Sequence, residues 1–320
     1  CGMADVAALK NDTGYIAAMD RLWDDVVHRN MYITGGIGSS RDNEGFTEDY
    51  DLPNLDAYCE TCASVGMVLW NQRMNQLTGD SKYIDVLERS LYNGALAGIS
   101  LGGDRFFYVN PLESKGDHHR QEWYGCACCP SQLSRFLPSI GNYIYASSDD
   151  ALWVNLYIGN TGQIRIGETD ILLTQETDYP WDGSCKTYDL SINGKRINVS
   201  EEKGYAVIKD WKSQDVIALD MDMPVEIVAA DPHVKENFGK RAIQRGPLVY
   251  CMEEIDNPEY FDQIQLSPST TFQTAFVSDI LNGIKTIKTN GRAQSATFIP
   301  YYAWDNRKAG KMRVWIPYNE

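Results

Sequence analysis

The hydrophobic pattern of this chain changes once, near residue 147, and that change limits the fold more than any other feature. Before it, apolar residues recur at helical spacing over residues 15–29, 62–78 and 82–98, and again from Pro130 to Ile140. After it, short β-rich segments alternate with turns at Gly, Asn and Asp. The pattern therefore predicts a multidomain chain with a helical first part and an all-β second part.

The lengths of the links between these segments indicate the architecture of each part. Gly79 is expected to end one helix, and Asp80 or Ser81 to cap the next, so that only two or three residues join them. Short-linked helix pairs are typical of all-α bundles and toroids, and twelve short strands without helices favour one or two β-sandwiches. We expect domains at 1–146, 147–238 and 239–320. The predicted strands are 152–158, 163–167, 170–175, 187–192, 205–208, 215–221, 224–229, 247–252, 273–278, 284–288, 295–299 and 312–316.

Five of the eight cysteines fall in two tight clusters, at residues 59–62 and 126–129. A disulfide framework would spread its cysteines at loop-closing spacings, and a bond between the adjacent Cys128 and Cys129 would be strained. Clustered thiols are more typical of a metal site or a reactive site. The complete set is Cys1, Cys59, Cys62, Cys126, Cys128, Cys129, Cys185 and Cys251.

Both cysteine clusters are predicted to lie at helix N-termini. Pro130 favours the first position of a helix, which would put Cys129 at the cap and Cys128 just before it, while Glu60 would lie just outside the other helix. The unpaired N–H groups and the helix dipole at such ends favour thiolates. If the two ends meet, Glu60, Cys62, Cys128 and Cys129 form a tetrahedral donor set of the kind that zinc takes.

Two plainer interpretations of these thiols stay open at the level of sequence. The four residues could form a purely structural zinc site, although such sites usually use paired Cys-x(2–4)-Cys knuckles without a carboxylate. The thiols could also be buried apolar residues, which is a common environment for cysteine.

Further candidate groups lie just before each cluster. The acidic loop at 42–51 is expected to be mostly solvated, but Glu44 or Glu48 could lend a carboxylic acid to the site, and position alone does not choose between them. Of His118 and His119, at most one is expected to be functional, because adjacent side chains point in different directions. The glycine-rich segment 34–40 fails both phosphate-loop templates and is predicted to be a tight backbone turn.

Charge and hydropathy exclude two classes of partner. The 29 basic and 44 acidic residues give a net charge of −15, whereas nucleic acids and anionic membranes require a basic face. The chain also has no apolar run of about 18 residues that could span a bilayer. The sequence does not decide between cytoplasm and periplasm.

At the residues that could carry chemistry, the sequence resembles glycoside hydrolase family 127, the β-L-arabinofuranosidases and their relatives. The resemblance lies in Phe-Thr-Glu-Asp-Tyr-Asp-Leu-Pro-Asn at 46–54, Glu-Thr-Cys-Ala-Ser at 60–64 and Cys-Ala-Cys-Cys-Pro at 126–130. It continues in Gln-Arg-Gly-Pro-Leu-Val-Tyr at 244–250 and Pro-Tyr-Tyr-Ala-Trp-Asp-Asn-Arg at 300–307, and so covers most of the chain.

The resemblance implies a fold, a cofactor and a set of site residues. The fold would be the C-terminal part of an (α/α)6 barrel followed by one or two β-sandwiches. One Zn²⁺ would be held by Glu60, Cys62, Cys128 and Cys129. Cys128 would attack the anomeric carbon of the sugar, and Glu44, selected by its place in the family motif, would be the acid/base. His119 is the histidine that we expect to bind substrate.

The function that follows is retaining hydrolysis of β-L-arabinofuranosides, or of glycosides of a related sugar, in an oligosaccharide. A homodimer is the oligomeric state that we consider for it. Two other functions stay open: a two-carboxylate glycosidase with structural zinc, and a non-catalytic carbohydrate-binding protein. Family members begin well before this chain does, so we expect its N-terminal part to be missing and the piece alone to turn over substrate poorly.

Overall fold

The structure is a computed structural model, and it describes residues 1–181, 188–289 and 295–320. Cys185 and the first residue of the predicted strand 187–192 lie outside the described residues. The described chain is a mixed α and β protein, helical in its first part and rich in β-sheet in its C-terminal part, as the pattern predicts.

The helical part contains the four predicted helical segments. Each cysteine-bearing helix begins earlier than predicted, because Glu60 itself is the N-cap of one and Ala127 is the N-cap of the other. Cys128 and Cys129 therefore lie inside the first turn, with Pro130 at its third position, where no intrahelical N–H bond is lost. The helices are α1 Gly2–Lys10, α2 Thr13–Arg29, α3 Thr61–Thr78, α4 Lys82–Arg89, α5 Cys128–Phe136 and α6 Gly141–Ile144, and a π-helical segment, Ser90–Ala95, continues α4.

The glycine-rich segment before α3 is a tight turn, as predicted. The Gly35 N–H donates to the Tyr32 carbonyl at 2.8 Å, and Gly35 has φ of +73°. A Cβ at Gly35 would lie 2.7 Å from the backbone of Ser90, so no larger residue fits there without movement.

The strands form one large antiparallel sheet and several small ones. They are β1 Glu113–Ser114, β2 Tyr145–Ser147, β3 Leu152–Val154, β4 Asn160–Ile166, β5 Thr169–Gln175, β6 Tyr188–Ile192, β7 Lys195–Arg196, β8 Ser200–Glu202, β9 Tyr205–Val207, β10 Ile217–Met221, β11 Val225–Val228, β12 Lys240–Arg245, β13 Leu248–Glu253, β14 Phe272–Val277, β15 Ile284–Thr289, β16 Thr297–Pro300, β17 Met312–Arg313 and β18 Ile316–Pro317. The large sheet has the order β1-β17-β13-β16-β15-β14, and β12 joins it beside β13 and also pairs with β11 and β18. Strand β12 was missed from the sequence, because its charged residues hide the buried Ala242 and Ile243.

The large sheet packs directly against the helical part. One apolar cluster combines Val65 of α3, Leu87 of α4 and Leu133 of α5 with Tyr250 of β13 and Phe298 of β16. This shared core holds the start of α5, and with it the second cysteine cluster, in a fixed relation to the sheet.

The sheet also crosses the predicted domain limits. Strand β1 comes from the helical part, and β11 lies before the predicted boundary at 238/239. The division into three domains, the barrel and the sandwiches stay predictions. Across the described ranges, every helix is too short or too polar to cross a bilayer.

Candidate active site

The two cysteine clusters meet, as the sequence predicts. Glu60, Cys62, Cys128 and Cys129 each offer one ligand atom, and these atoms all lie within 4.8 Å of one another. The Cys129 Sγ lies 3.5 Å from the Cys62 Sγ and 3.7 Å from the Cys128 Sγ, and a carboxylate oxygen of Glu60 lies 3.3 Å from the Cys128 Sγ.

Backbone pairing explains why Glu60 and Cys62 can point to one centre. Glu60 forms a β-bridge with Val109, and the Thr61 N–H donates to the Tyr108 carbonyl at 2.9 Å. The Asn110 side chain donates to the Thr61 hydroxyl at 3.0 Å. These bonds hold the start of α3 against the segment 107–110 and place Tyr108 beside the start of α5.

The spacing of the donors fits a tetrahedral zinc ion. With Zn–S bonds of about 2.3 Å and Zn–O bonds of about 2.0 Å, a tetrahedron has S···S edges of about 3.8 Å and S···O edges of about 3.5 Å. Four of the six separations, namely S···S distances of 3.5 and 3.7 Å and S···O distances of 3.3 and 3.6 Å, lie close to these values, and the other two are at most 4.8 Å. Three soft thiolates and one carboxylate also match the ligand preference of zinc.

The protein's own groups do not ionise all three thiols. Burial raises the pKa of Cys128 to about 11. The hydrogen bond that Cys62 and Cys129 share lowers the pKa of Cys62 and raises that of Cys129. Burial therefore opposes ionisation of Cys128, and a cation among the four donors would favour the thiolate forms.

The candidate acid/base is Glu44, at the tip of a tight turn. Ser40 and Gly45 pair across this turn, and Glu44 takes a left-handed conformation with φ of +51°. Its carboxylate accepts a hydrogen bond from the Tyr58 hydroxyl at 3.0 Å. Glu44 lines a cavity whose described lining does not include Glu48, so the geometry favours Glu44, as the family motif does.

Two tyrosines that the sequence analysis did not single out connect Glu44 with the thiols. The Tyr108 hydroxyl lies 3.2 Å from the Cys128 Sγ, and the Tyr58 and Tyr108 rings lie 6.3 Å apart between centroids. The hydrogen bond with Cys128 raises the pKa of Tyr108, and burial, aided by Glu44, raises that of Tyr58. Both hydroxyls therefore keep their protons at neutral pH. In a chain with 19 Tyr, only their position next to the motifs could have indicated them.

Two neighbouring cavities open beside this group. The inner cavity, of about 430 Å³, is lined among others by Glu44, Tyr58, Tyr108 and Tyr124. The outer cavity, of about 630 Å³, is lined partly by residues of the loop that carries Glu44. The two cavities share Arg41, Val109, Asp117 and His118, and therefore form one continuous cleft.

His119, the histidine expected to bind substrate, lies at the inner cavity, but protein acceptors engage both of its ring nitrogens. The Nδ1 is 2.8 Å from a carboxylate oxygen of Asp305, and the Nε2 is 3.0 Å from the Gly116 carbonyl. Its role in binding sugar stays a prediction.

The loop that carries both histidines is tied to the C-terminal part of the chain. Asp305 also accepts from the Arg120 N–H at 2.7 Å, and the buried Arg120 guanidinium donates to the carbonyls of Ala97, Tyr302 and Trp304. Apart from the bond to Ala97, these contacts fix the wall of the inner cavity to residues 182–185 positions away in sequence.

The chain matches family models and known proteins of one family. The family model for the "Beta-L-arabinofuranosidase, GH127 catalytic domain" matches residues 1–142, and the model for the "Glycoside hydrolase family 127 C-terminal domain" matches residues 225–317. A non-reducing end β-L-arabinofuranosidase from Bifidobacterium longum subsp. longum is 36% identical, over 98% of this chain and 57% of the relative.

Solved structures show the same fold. A family 127 β-arabinofuranosidase superposes with a TM-score of 0.94 at 40% identity, over 99% of this chain and 58% of its own. A family 127 β-L-arabinofuranosidase from Geobacillus stearothermophilus T6 gives the same TM-score and identity, over 99% and 59%. The chain thus spans a little under three fifths of the length of these relatives.

Proposed function

Because this chain belongs to glycoside hydrolase family 127, we propose that it carries the catalytic centre of a retaining glycosidase that cleaves β-L-arabinofuranosides in oligosaccharides. One observation carries the proposal: four zinc-type donors from two distant segments lie within 4.8 Å of one another, next to a cleft that contains a carboxylic acid. The helical part would be a section of an (α/α)6 barrel, and the strands that follow would form β-sandwiches.

In this proposal Cys128 is the nucleophile. The side chains of Cys128 and Cys62 are partly buried, whereas that of Cys129 is fully buried and therefore unsuited to attack a sugar. The Tyr108 hydroxyl, beside the Cys128 Sγ and at the wall of the inner cavity, marks the side from which a sugar can reach the sulfur.

Glu60, Cys62, Cys128 and Cys129 would hold the Zn²⁺ ion. When bound, zinc keeps Cys128 deprotonated at neutral pH despite the burial that raises the pKa of its thiol. The remaining steps depend on side chains of the chain itself.

Glu44 acts as general acid and then as general base. As the Cys128 sulfur bonds to the anomeric carbon, the glycosidic C–O bond breaks and the leaving oxygen takes the proton of Glu44. Water then attacks the same carbon, gives a proton to Glu44 and releases the thiolate. Tyr58 holds the Glu44 side chain toward the cleft through both steps, since its hydroxyl donates to the carboxylate.

The test combines metal content, activity on an aryl β-L-arabinofuranoside and the anomeric configuration of the first product, in the protein as it is naturally produced. We expect about one zinc per chain, retention, and loss of activity in Cys128→Ser. Cys126→Ser is the matched control, because Cys126 is exposed and two residues from the nucleophile. Substantial activity in Cys128→Ser would favour Glu60 as nucleophile, and an inactive wild type that binds sugar would favour a carbohydrate-binding protein.

A further inference from the structure

The side chain of Glu60 reaches the thiol cluster without support from its own helix. Glu60 is the N-cap of α3, yet its carboxylate makes no capping hydrogen bond with that helix. One carboxylate oxygen lies instead 3.3 Å from the Cys128 Sγ and 3.6 Å from the Cys129 Sγ. The direction of the carboxylate therefore depends on how the backbone on either side of Glu60 is held.

The residue before Glu60 takes a backbone conformation that needs support. Cys59 is buried, and its φ of +37° lies in the left-handed region, which residues with a Cβ rarely adopt. Such a conformation persists where the surrounding contacts enforce it. The Cys59 N–H donates to the Gly38 carbonyl at 2.9 Å, and the Cys59 carbonyl accepts from the Asn110 side chain at 2.8 Å. The backbone that leads into Glu60 is thus held on both sides of Cys59.

The same Asn110 side chain also holds the residue after Glu60. Its Nδ2 donates to the Thr61 hydroxyl at 3.0 Å, and that hydroxyl donates to the Phe107 carbonyl at 2.8 Å. Since a carbonyl can only accept and the Thr61 hydroxyl has already used its hydrogen, the Asn110 amide must present its nitrogen to both groups. Asn110 is only 2% exposed, and its Oδ1 is buried without a partner among the described residues. One NH₂ group therefore holds the chain on both sides of Glu60.

We propose that Asn110 is a positioning residue for the metal centre, which directs the Glu60 carboxylate toward the thiols by holding the Cys59 carbonyl and the Thr61 hydroxyl. The inference rests on the proposed function, because it takes Glu60 as a zinc ligand. Without the amide, Cys59 relaxes toward negative φ, and the peptide plane that leads into Glu60 turns with it. The three thiolates then remain as ligands, and the carboxylate is lost.

The test measures zinc affinity by competition with a chelator of known affinity, in the protein as it is naturally produced and with its thiols reduced. Asn110→Ala should bind zinc about 5- to 30-fold more weakly than wild type, because the strained conformation loses the hydrogen bonds that maintain it. In a Glu60→Ala background the same change should weaken zinc binding by less than about twofold, since the carboxylate that Asn110 positions is already gone.

A merely structural role of Asn110 predicts a different pattern. If the amide only stabilises the start of α3, which also carries Cys62, Asn110→Ala should weaken zinc binding equally with and without Glu60. Asn257→Ala is the matched control, because Asn257 is also buried and its side-chain amide also holds two backbone groups, both in the C-terminal part. It should lower the urea midpoint and leave zinc affinity unchanged.

A milder variant keeps the test decisive if Asn110→Ala does not fold. Thr61→Val keeps the shape of the side chain and removes one of the two groups that the amide holds. It should weaken zinc binding about two- to fivefold, and only while Glu60 is present. Equal losses with and without Glu60, or no loss in either, with a wild type that binds zinc would overturn the role of Asn110 alone. A wild type that binds no zinc would overturn the zinc site of the proposed function and this inference with it.

Discussion

Replacing Tyr108 by Phe should slow release of the sugar from Cys128 more than its transfer to Cys128. Burial raises the pKa of Cys128, and the Tyr108 hydroxyl, 3.2 Å from the Cys128 Sγ, partly offsets that rise. In the second chemical step the sulfur leaves as a thiolate, and the hydroxyl donates to the charge that develops there. A hydrogen bond to a charged group contributes about 1.5–3 kcal/mol, which corresponds to about a 10- to 150-fold slower release.

The expected kinetic signature of Tyr108→Phe is specific. Because transfer of the sugar to Cys128 slows less than its release, the covalent intermediate accumulates. As a result kcat and KM fall together, and a burst of aryl alcohol approaches one equivalent of protein. Stopped-flow absorbance with an aryl β-L-arabinofuranoside measures it. Tyr143→Phe is the control, since Tyr143 packs 5.7 Å from Phe136 on the same helix as Cys128. A kcat within twofold of wild type, or a lower kcat with a higher KM and no burst, would refute the reasoning.

Three further predictions concern charged groups away from the thiols. Asp305→Asn should remove a pH-dependent stabilisation, because Asp305 raises the pKa of His119. Wild type has this stabilisation in full below about pH 6.5 and loses it as pH rises through the folded pKa of His119. Urea midpoints measured against pH should show a flatter slope in the variant. Arg307→Met should lower the free energy of unfolding by about 3–5 kcal/mol, because Glu253, with a side chain only 6% exposed, loses its ion-pair partner. Adding Glu253→Gln should recover part of this lost stability in urea unfolding. A double variant that loses the full sum of the two single losses would contradict the prediction. Glu88→Gln should flatten a second dependence of stability on pH. Burial raises the pKa of Glu88 to about 8, so the folded state favours the protonated acid, and wild type loses stability as pH rises from about 4.3 through 8. Calorimetry across this range should not find that loss in the variant.

Local patterns predicted most of the helices and strands and the two cysteine clusters, because these depend on neighbours in sequence, whereas the meeting of the clusters was implied by the family resemblance. Helical spacing and capping chemistry located the starts of α3 and α5 to within two residues, whereas α5 ends at Phe136, before the predicted Ile140. The exposure of each thiol to a sugar is set by tertiary packing, so it could not be predicted from local sequence.

Groups whose role depends on distant contacts could not be predicted from local pattern. The residues alone left Glu44 and Glu48 equal; the family motif selects Glu44, and so does the cavity beside Tyr58. Likewise, His118 and His119 differ because the ring of His119 is bound to Asp305, 186 positions further on. No spacing rule reports a partner at that separation.

The most direct test of the central claim is to identify the atom that becomes bonded to the sugar. The protein is treated with a mechanism-based arabinofuranoside inactivator, digested, and analysed by tandem mass spectrometry, with Cys126 in the same peptide as an internal control. The thiolate mechanism predicts one sugar-derived adduct, on Cys128, that is absent from Cys128→Ser. An adduct on Glu60 or Glu44 in the wild type would contradict it.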